Sequence, residues 1–250
     1  MIIQNQKDLS GLRSIGKIVA NCLKYMLSQV EPGMSTLELD KLGAAFLEEH
    51  GARSAPIAMY DFPGHTCISL NQEAAHGIPN ASRIIKASDL INIDVSAVKD
   101  GYFGDTGGTM MVPPGSDELK ILCKSTKRAL NRAIDHVKAG ANLNVIGKCI
   151  EKEARKNGHS VIKNLCSHGI GRKLHEDPDH ILGFYSPSEK RRLKENMVIT
   201  IEPFLSTGTE NVTDGRDGWA LLNKKGCYSA QYEHTMVIQK GKPIILTEPD

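Results

Sequence analysis

The sequence predicts an α+β protein built from two related halves, with antiparallel sheet inside and helices outside. Apolar residues recur at three- and four-residue steps in several segments, and β-branched segments with turn signals follow them. The order helix, glycine break, helix, glycine stop occurs twice, at an offset that places Gly33 on Gly140 and Gly51 on Gly158. We therefore predict one domain, spanning residues 1–250, whose pseudo-repeat halves cover about 8–112 and 116–240.

Four helices are predicted, two in each half. The first covers about residues 8–29, and the capping-box pattern of Ser35 and Glu38 begins the second. Helical periodicity returns after Ser116, and again in a segment that ends near Gly158. The repeated order indicates that one supersecondary unit is used twice.

Strand-like segments close each half. Residues 89–98 and 102–112 flank a turn signal and predict an antiparallel hairpin. In the second half, residues 197–202 and 230–239 take the same places. Each half is therefore expected to contribute two strands to the central sheet.

Composition and charge exclude several classes of protein. The chain has 250 residues, is 40% hydrophobic and carries a formal net charge of +2, which gives no preference for a polyanion. The six cysteines form no CxxC pair or zinc-finger spacing, which favours reduced thiols. No secretory signal pattern or long apolar segment occurs. We expect a cytoplasmic protein without a membrane span or a specific nucleic-acid ligand.

Four carboxylates occupy predicted strand positions where apolar residues are expected. Asp94 and Asp105 lie on the first hairpin, roughly opposite each other, and Glu202 and Glu233 take similar places in the second half. A solvated strand face, or a Lys or Arg partner, explains any one of them equally well. All four together would repel one another unless cations lay between them. Divalent cations prefer such oxygen ligands, and a pair of them is common in hydrolytic sites.

Three of the nine histidines have distinctive surroundings: His76, His168 and His175. Glycine follows the first two, which allows a backbone or ligand to approach closely. A lone histidine is more often structural, but three beside four misplaced carboxylates favour a functional site. We interpret the following as structural: His50, His65, His136, His159 and His180.

Five short motifs occur together in one known family. They are Asn92-Ile93-Asp94, Gly104-Asp105-Thr106, Ser167-His168-Gly169-Ile170-Gly171-Arg172, Thr200-Ile201-Glu202-Pro203 and Gln231-Tyr232-Glu233-His234-Thr235. In this order they resemble the type I methionine aminopeptidases of the short bacterial form, across nearly the whole chain. The resemblance implies the pita-bread fold, two pseudo-symmetric halves around a site for two divalent metal ions (Co, Mn, Fe or Zn). It also implies removal of the N-terminal initiator methionine from nascent proteins whose second residue is small, by attack of metal-activated water on the first peptide bond.

The resemblance also implies residue roles. The metal ligands would be Asp94, Asp105, His168, Glu202 and Glu233. Asp105 and Glu233 would bridge both ions, and Glu202 would act as the general base. His175 would stabilise the tetrahedral intermediate, and His76 would hold or protonate the scissile nitrogen.

The same resemblance places an apolar slot for the methionine side chain. Besides the two catalytic histidines, the matching substrate-binding positions are Met59, Phe62, Cys67, Leu165, Leu174 and Trp219. Leu165 and Leu174 stand where the bacterial enzymes usually carry aromatic residues, and Pro56 stands where a cysteine is common. The shape of the slot therefore departs from the family pattern, although its apolar character is kept.

Two other functions on the same fold are considered. Aminopeptidase P and prolidase would prefer X-Pro peptides and usually carry an additional N-terminal domain. A catalytically silent binding protein would have lost metal ligands, whereas all five positions here are acidic or histidine. The expected partners are nascent polypeptide N-termini at the ribosome exit, and the expected state is a monomer.

Overall fold

The computed structural model describes residues 1–250, which form five helices and fifteen strands. The helices are α1 (Gln6–Gln29), α2 (Thr36–Glu49), α3 (Ala55–Tyr60), α4 (Asp117–His136) and α5 (Val145–Lys156). The strands of the first half are β1 (Arg53–Ser54), β2 (Cys67–Leu70), β3 (Glu73–Ala75), β4 (Leu90–Lys99) and β5 (Tyr102–Met111). Those of the second half are β6 (Ser160–Val161), β7 (Cys166–Gly169), β8 (Glu176–Leu182), β9 (Val198–Ile201), β10 (Phe204–Ser206), β11 (Thr213–Asp214), β12 (Leu221–Leu222), β13 (Ser229–Gln231), β14 (His234–Val237) and β15 (Ile244–Ile245).

The four predicted helices are confirmed, and their ends follow local capping. The capping box of α2 is complete, because Glu38 N donates to Ser35 Oγ at 3.2 Å and Ser35 N donates to Glu38 Oε2 at 2.8 Å. Helix α1 begins slightly earlier than predicted, since the Asn5 side chain accepts a hydrogen bond from Asp8 N at 3.0 Å. Helix α3 was not predicted; six residues are too few to show a helical period.

The glycine repeat is confirmed by backbone conformation. Gly33 and Gly140 have φ of +99° and +86°, and Gly51 and Gly158 have φ of +66° and +72°. L side chains rarely adopt these angles, so each pair serves the same turn in its half. The second copy of the helix pair therefore repeats the geometry of the first as well as its pattern.

The hairpin of β4 and β5 forms as predicted, but its register differs. The turn is made by Asp100 and Gly101, both with positive φ, and Ser96 pairs with Asp105. Asp94 pairs with Gly107, so Asp94 and Asp105, which were expected roughly opposite each other, are offset by two residues. Because side chains alternate with a period of two, both carboxylates still lie on the same face.

The strands predicted at 197–202 and 230–239 are interrupted. Strand β9 pairs with β14 through Ile201 and His234, and β10 pairs with β13 through Phe204 and Gln231. Between these ladders, residues 202–203 and 232–233 belong to no strand. Pro203 has no N–H to give to a ladder, which suits it to a break. Both acidic residues of the second half therefore lie at one interruption of the sheet.

Two apolar clusters support the halves. One surrounds α1, α2 and the β4–β5 hairpin, and the other packs α4 and α5 on the strands of the second half. All sheets are antiparallel. All six cysteines are free. No helix has the length and apolarity needed to cross a membrane.

A polar seam joins the halves between β5 and the strands β13 and β14. Thr235 Oγ1 accepts from Asp105 N at 3.1 Å and donates to Asp105 O at 2.7 Å. Across the same seam, Thr106 Oγ1 donates to Glu233 O at 2.8 Å, and Glu233 N donates to Gly107 O at 2.9 Å. The backbones that carry Asp105 and Glu233 are therefore fixed to each other directly.

Candidate metal centre

The four carboxylates and His168 converge at this seam. One ligand atom each from Asp105, His168 and Glu233 lies within 4.8 Å of the other two. His168 Nε2 is 3.5 Å from Glu202 Oε1 and 3.8 Å from Asp105 Oδ2. The carboxyl of Asp94 is close enough to that of Asp105 for each to shift the pKa of the other. Residues far apart in the sequence thus form one cluster drawn from both halves.

The local fold aims His168 at the carboxylates. It lies at an irregularity in the pairing of β7 with β8, between Ser167 and Gly169. His168 N donates to Thr200 Oγ1 at 3.1 Å, and Nδ1 lies 3.0 Å from Gly169 O, so Nε2 is the atom that faces the cluster. A Cβ on Gly169 would come within 2.5 Å of Asp177 O. The expected close backbone approach beside this histidine is confirmed.

Burial and mutual repulsion dominate the electrostatics of the cluster. Burial raises the pKa of Asp94 to about 6. Burial, and then the charges of Glu233 and Asp94, raise the pKa of Asp105 well above its ordinary value. The pKa values of Glu202 and Glu233 are raised in the same way, by burial first and neighbouring carboxylates second. The protein therefore resists ionising the groups that it has placed together.

No side chain supplies the missing positive charge. None of the ion pairs joins a lysine or arginine to Asp94, Asp105, Glu202 or Glu233. Burial lowers the pKa of His168 to about 3, so its imidazole is neutral at pH 7. Burying several carboxylates together without positive charge destabilises the folded state unless a cation binds between them.

Two buried oxygen atoms point to where a cation would lie. Asp105 Oδ1 and Glu233 Oε1 have no hydrogen-bond partner, although their residues are only 6% and 2% exposed. The second oxygen of Glu233 is satisfied, since Gln231 Nε2 donates to it at 2.9 Å. One unsatisfied acceptor from each half, beside a neutral imidazole, is a donor set for a divalent metal ion. The residues present fit such an ion.

Two further histidines border the cluster. His76 has φ of +55°, a strained conformation for a residue with a side chain, and a Cβ on Gly77 would come within 2.3 Å of Ile68 O. The ring of His175 packs on that of His168 at a centroid distance of 4.1 Å. Burial lowers the pKa of both His76 and His175, so both are neutral imidazoles at pH 7.

These groups lie at one wall of a cavity of about 510 Å³. Five of the six side chains predicted for the methionine slot line it: Phe62, Cys67, Leu165, Leu174 and Trp219. Phe62 and Trp219 meet edge to face, with centroids 5.1 Å apart and planes at 86°. Met59 does not line the cavity; it is 38% exposed, and its neighbour Tyr60 faces the cavity instead. The cavity therefore combines apolar side chains with carboxylates and imidazoles.

Comparison with known proteins identifies the family. The sequence pattern of metallopeptidase family M24 matches residues 10–240. The chain belongs to metallopeptidase family M24. It is therefore a metallopeptidase, and divalent metal ions are the cofactors of its family.

The M24 relatives include methionine aminopeptidases over the full length of the chain. Methionine aminopeptidase 2 of Bacillus subtilis is 48% identical, with 99% of this chain and 100% of that protein covered. The crystal structure of methionine aminopeptidase from Thermotoga maritima superposes with a TM-score of 0.95 at 30% identity, covering 99% of this chain and 100% of that one. The resemblance and the pita-bread fold predicted from the sequence are confirmed.

A solved structure of another enzyme is similar to this chain in its fold alone. Prolidase from Pyrococcus furiosus superposes with a TM-score of 0.77 at 20% identity. This chain is covered completely, but only 66% of the prolidase chain is. The likeness shows a common pita-bread architecture, and the rest of the prolidase chain has no counterpart in this chain.

Several side chains that line the cavity were not predicted from the sequence. Tyr60, Phe204 and His180 line it, and His180 had been interpreted as structural. Ser54 as N-cap and Pro56 in the first turn are a start signal for α3, which could have indicated a short helix at the cavity. Phe204 directly follows the break at Glu202 and Pro203, and nothing in its local sequence marks it.

Proposed function

We propose that this chain removes the N-terminal methionine from nascent polypeptides whose second residue is small. One observation carries the proposal: a buried carboxylate and imidazole cluster, with two unsatisfied oxygen atoms, borders a cavity that is also lined by apolar side chains. Full-length relatives that bear the name methionine aminopeptidase support it.

Five residues would hold two divalent ions: Asp94, Asp105, His168, Glu202 and Glu233. Asp105 and Glu233 are well suited to hold an ion, because each is buried and each has one oxygen without a hydrogen-bond partner. Bound ions would supply Lewis acidity, which lowers the pKa of a water molecule and polarises the scissile carbonyl. The native metal is decided by availability as well as by these ligands.

Glu202 is the residue to which we assign proton transfer. Its Oε1 accepts from Thr200 Oγ1 at 3.2 Å, and its backbone N donates to Ser167 Oγ at 2.9 Å, which orients the carboxylate toward the cavity. Burial raises its pKa, so it is a stronger base than an exposed glutamate. We assign it the proton of the attacking water.

The two neutral histidines act on the substrate. His175 would donate an N–H to the carbonyl oxygen, which gains negative charge as the tetrahedral intermediate forms. His76 would hold the scissile nitrogen, and its strained backbone fixes its direction into the cavity. The free α-amino group would lie on the Asp94 side of the cluster, which explains cleavage after the first residue only.

The apolar wall would receive the methionine side chain. The thioether is polarisable and packs well against aromatic edges and thiols, here Phe62, Trp219 and Cys67. Leu165 and Leu174 complete the wall without aromatic rings. We therefore expect the slot to prefer unbranched side chains of the length of methionine.

The proposal is tested by initial rates on three peptides, Met-Ala-Ser, Met-Leu-Ser and Ala-Pro-Phe, using chelator-treated protein with and without Mn²⁺ or Co²⁺. We expect metal-dependent release of methionine from Met-Ala-Ser, little from Met-Leu-Ser and none from the proline peptide. Asp105→Asn should keep the fold by circular dichroism and lose this activity. Cleavage of Ala-Pro-Phe alone would support a prolidase-like enzyme, and no turnover with bound metal would support a binding protein.

A further inference from the structure

The hydroxyl of Tyr60 makes a short hydrogen bond with His175. The distance from Tyr60 Oη to His175 Nδ1 is 2.6 Å, and the ring centroids lie 5.7 Å apart. This is the one hydrogen bond that the His175 ring makes within the protein, so Nε2 is unpartnered. Tyr60 belongs to none of the five sequence motifs.

The backbone of α3 fixes the position of Tyr60. Ser54 caps the start of the helix, and its Oγ donates to His65 O at 2.8 Å. Asp61 ends the helix with φ of +56°, and its N–H donates to Ile57 O at 3.1 Å. Tyr60 is the last helical residue, is 43% exposed and lines the cavity. Such exposure means that the tyrosine ring is not needed to fill the core.

The direction of this hydrogen bond decides which nitrogen of His175 carries hydrogen, since the tyrosine hydroxyl can donate to Nδ1 or accept from it. Burial, and then the charge of Asp105, raise the pKa of Tyr60, so its hydroxyl keeps its hydrogen at neutral pH. If that O–H donates to Nδ1 of a neutral imidazole, the hydrogen of the ring must lie on Nε2. The ring is also held in place by its contact with His168, at 4.1 Å between centroids and 49° between planes.

We propose that Tyr60 is a positioning residue that selects the Nε2–H tautomer of His175 and directs this N–H into the cavity. The inference rests on the proposed function, in which the same N–H stabilises the oxygen of the tetrahedral intermediate. Without the Tyr60 hydroxyl, the two neutral tautomers of His175 would be closer in free energy, and part of the enzyme would present an acceptor where a donor is needed.

The tautomer is measured by long-range ¹H–¹⁵N NMR of metal-free protein labelled with ¹⁵N-histidine, at pH 7.5. His175→Gln identifies the signals of this ring. We expect the Nε2–H pattern in the unmodified protein and a mixture of the two tautomers in Tyr60→Phe. An Nδ1–H pattern in the unmodified protein, or the same pattern with and without the hydroxyl, would overturn the proposal.

Kinetics of the Mn²⁺-loaded protein on Met-Ala-Ser test the consequence. Tyr60→Phe should lower kcat about 3- to 10-fold, the worth of one hydrogen bond, with KM within about twofold. Tyr185→Phe is the matched control, since this exposed tyrosine lies outside the cavity, and it should leave both constants unchanged. An unchanged kcat, or a change in KM alone, would contradict the positioning role. If the unmodified protein does not release methionine, the proposed function fails, and the NMR measurement still decides the tautomer.

Discussion

Asp94→Asn should stabilise the metal-free protein while removing its activity. Burial raises the pKa of this carboxyl from 3.8 to about 6. Each pKa unit corresponds to about 1.4 kcal/mol, so at pH 7.5 the ionised group costs the folded state about 3 kcal/mol. Asparagine carries no charge and keeps an acceptor oxygen toward Asp105, and therefore avoids this cost.

The sign of the pH dependence follows from the raised pKa. The folded state holds the Asp94 proton more tightly than the unfolded state, so metal-free protein loses stability as the pH rises from about 4 to about 6. The difference in the free energy of unfolding between the variant and the unmodified protein should therefore be small at pH 4. It should reach its full size above about pH 6.5. For a chain of this size, 3 kcal/mol corresponds to about 6–12 °C in Tm.

The assay is thermal unfolding in chelator across this pH range, repeated with added Mn²⁺. Saturation at 100 times Kd should stabilise the unmodified protein by about 2.7 kcal/mol, and the variant by much less. Asp135→Asn, an exposed change on α4, is the control and should alter the free energy of unfolding by less than about 0.5 kcal/mol. If Asp94→Asn melts at or below the unmodified protein in chelator at pH 7.5, the reasoning is refuted.

Three further perturbations address the rest of the molecule. His175→Ala should lower kcat about 100-fold with little change in KM, because its hydrogen bond strengthens in the transition state; steady-state rates that show only a KM effect would exclude this role. Trp219→Ala removes the edge-to-face contact with Phe62 and should reduce the preference for methionine over leucine peptides about 2- to 10-fold, while Mn²⁺ binding by calorimetry stays unchanged. Glu153→Gln should destabilise the protein by about 1–3 kcal/mol at pH 7 in urea unfolding. Burial raises the pKa of Glu153, but hydrogen bonds and charge from Arg128, Asn157 and Arg132 outweigh this and lower the pKa overall. The loss should therefore shrink as the pH falls below 4.5, the ordinary glutamate value, and through the lowered pKa; a loss independent of pH would indicate packing instead.

The features that could be predicted from the sequence are those with a local cause. The capping box at Ser35 and the paired glycines predict helix ends, because the first satisfies free backbone N–H groups and the second adopt positive φ. Asp94 and Glu202 stand out because a charge in an apolar strand is anomalous wherever the strand packs. Local rules were therefore enough to indicate the four helices and the acidic cluster.

The features that could not be predicted depend on tertiary geometry. The residues that occupy the β4–β5 turn decide its register, and a two-residue turn at Asp100 and Gly101 moved the pairing by two positions. The phase of the six-residue helix α3 decides whether Met59 or Tyr60 faces the cavity, and the sequence of so short a helix does not fix its phase. The sheet break opposite Glu233 appears only once β9, β10, β13 and β14 are paired.

The acidic cluster lies at the junction of the halves for a physical reason. A carboxylate inside either apolar cluster would be surrounded by side chains that offer no hydrogen bond, at a cost of several kcal/mol. At the seam, threonine hydroxyls and broken ladders already supply polar groups, and Thr235 and Thr106 hold the backbones of Asp105 and Glu233 in place. The remaining repulsion acts between carboxylates from both halves. A cation that neutralises these carboxylates would therefore hold the two halves together and also create a reactive centre. The stability of the seam and the affinity of the site for a metal ion should consequently depend on each other. Weakening the seam by Thr235→Val should lower Mn²⁺ affinity, although Thr235 offers no side chain to the ion.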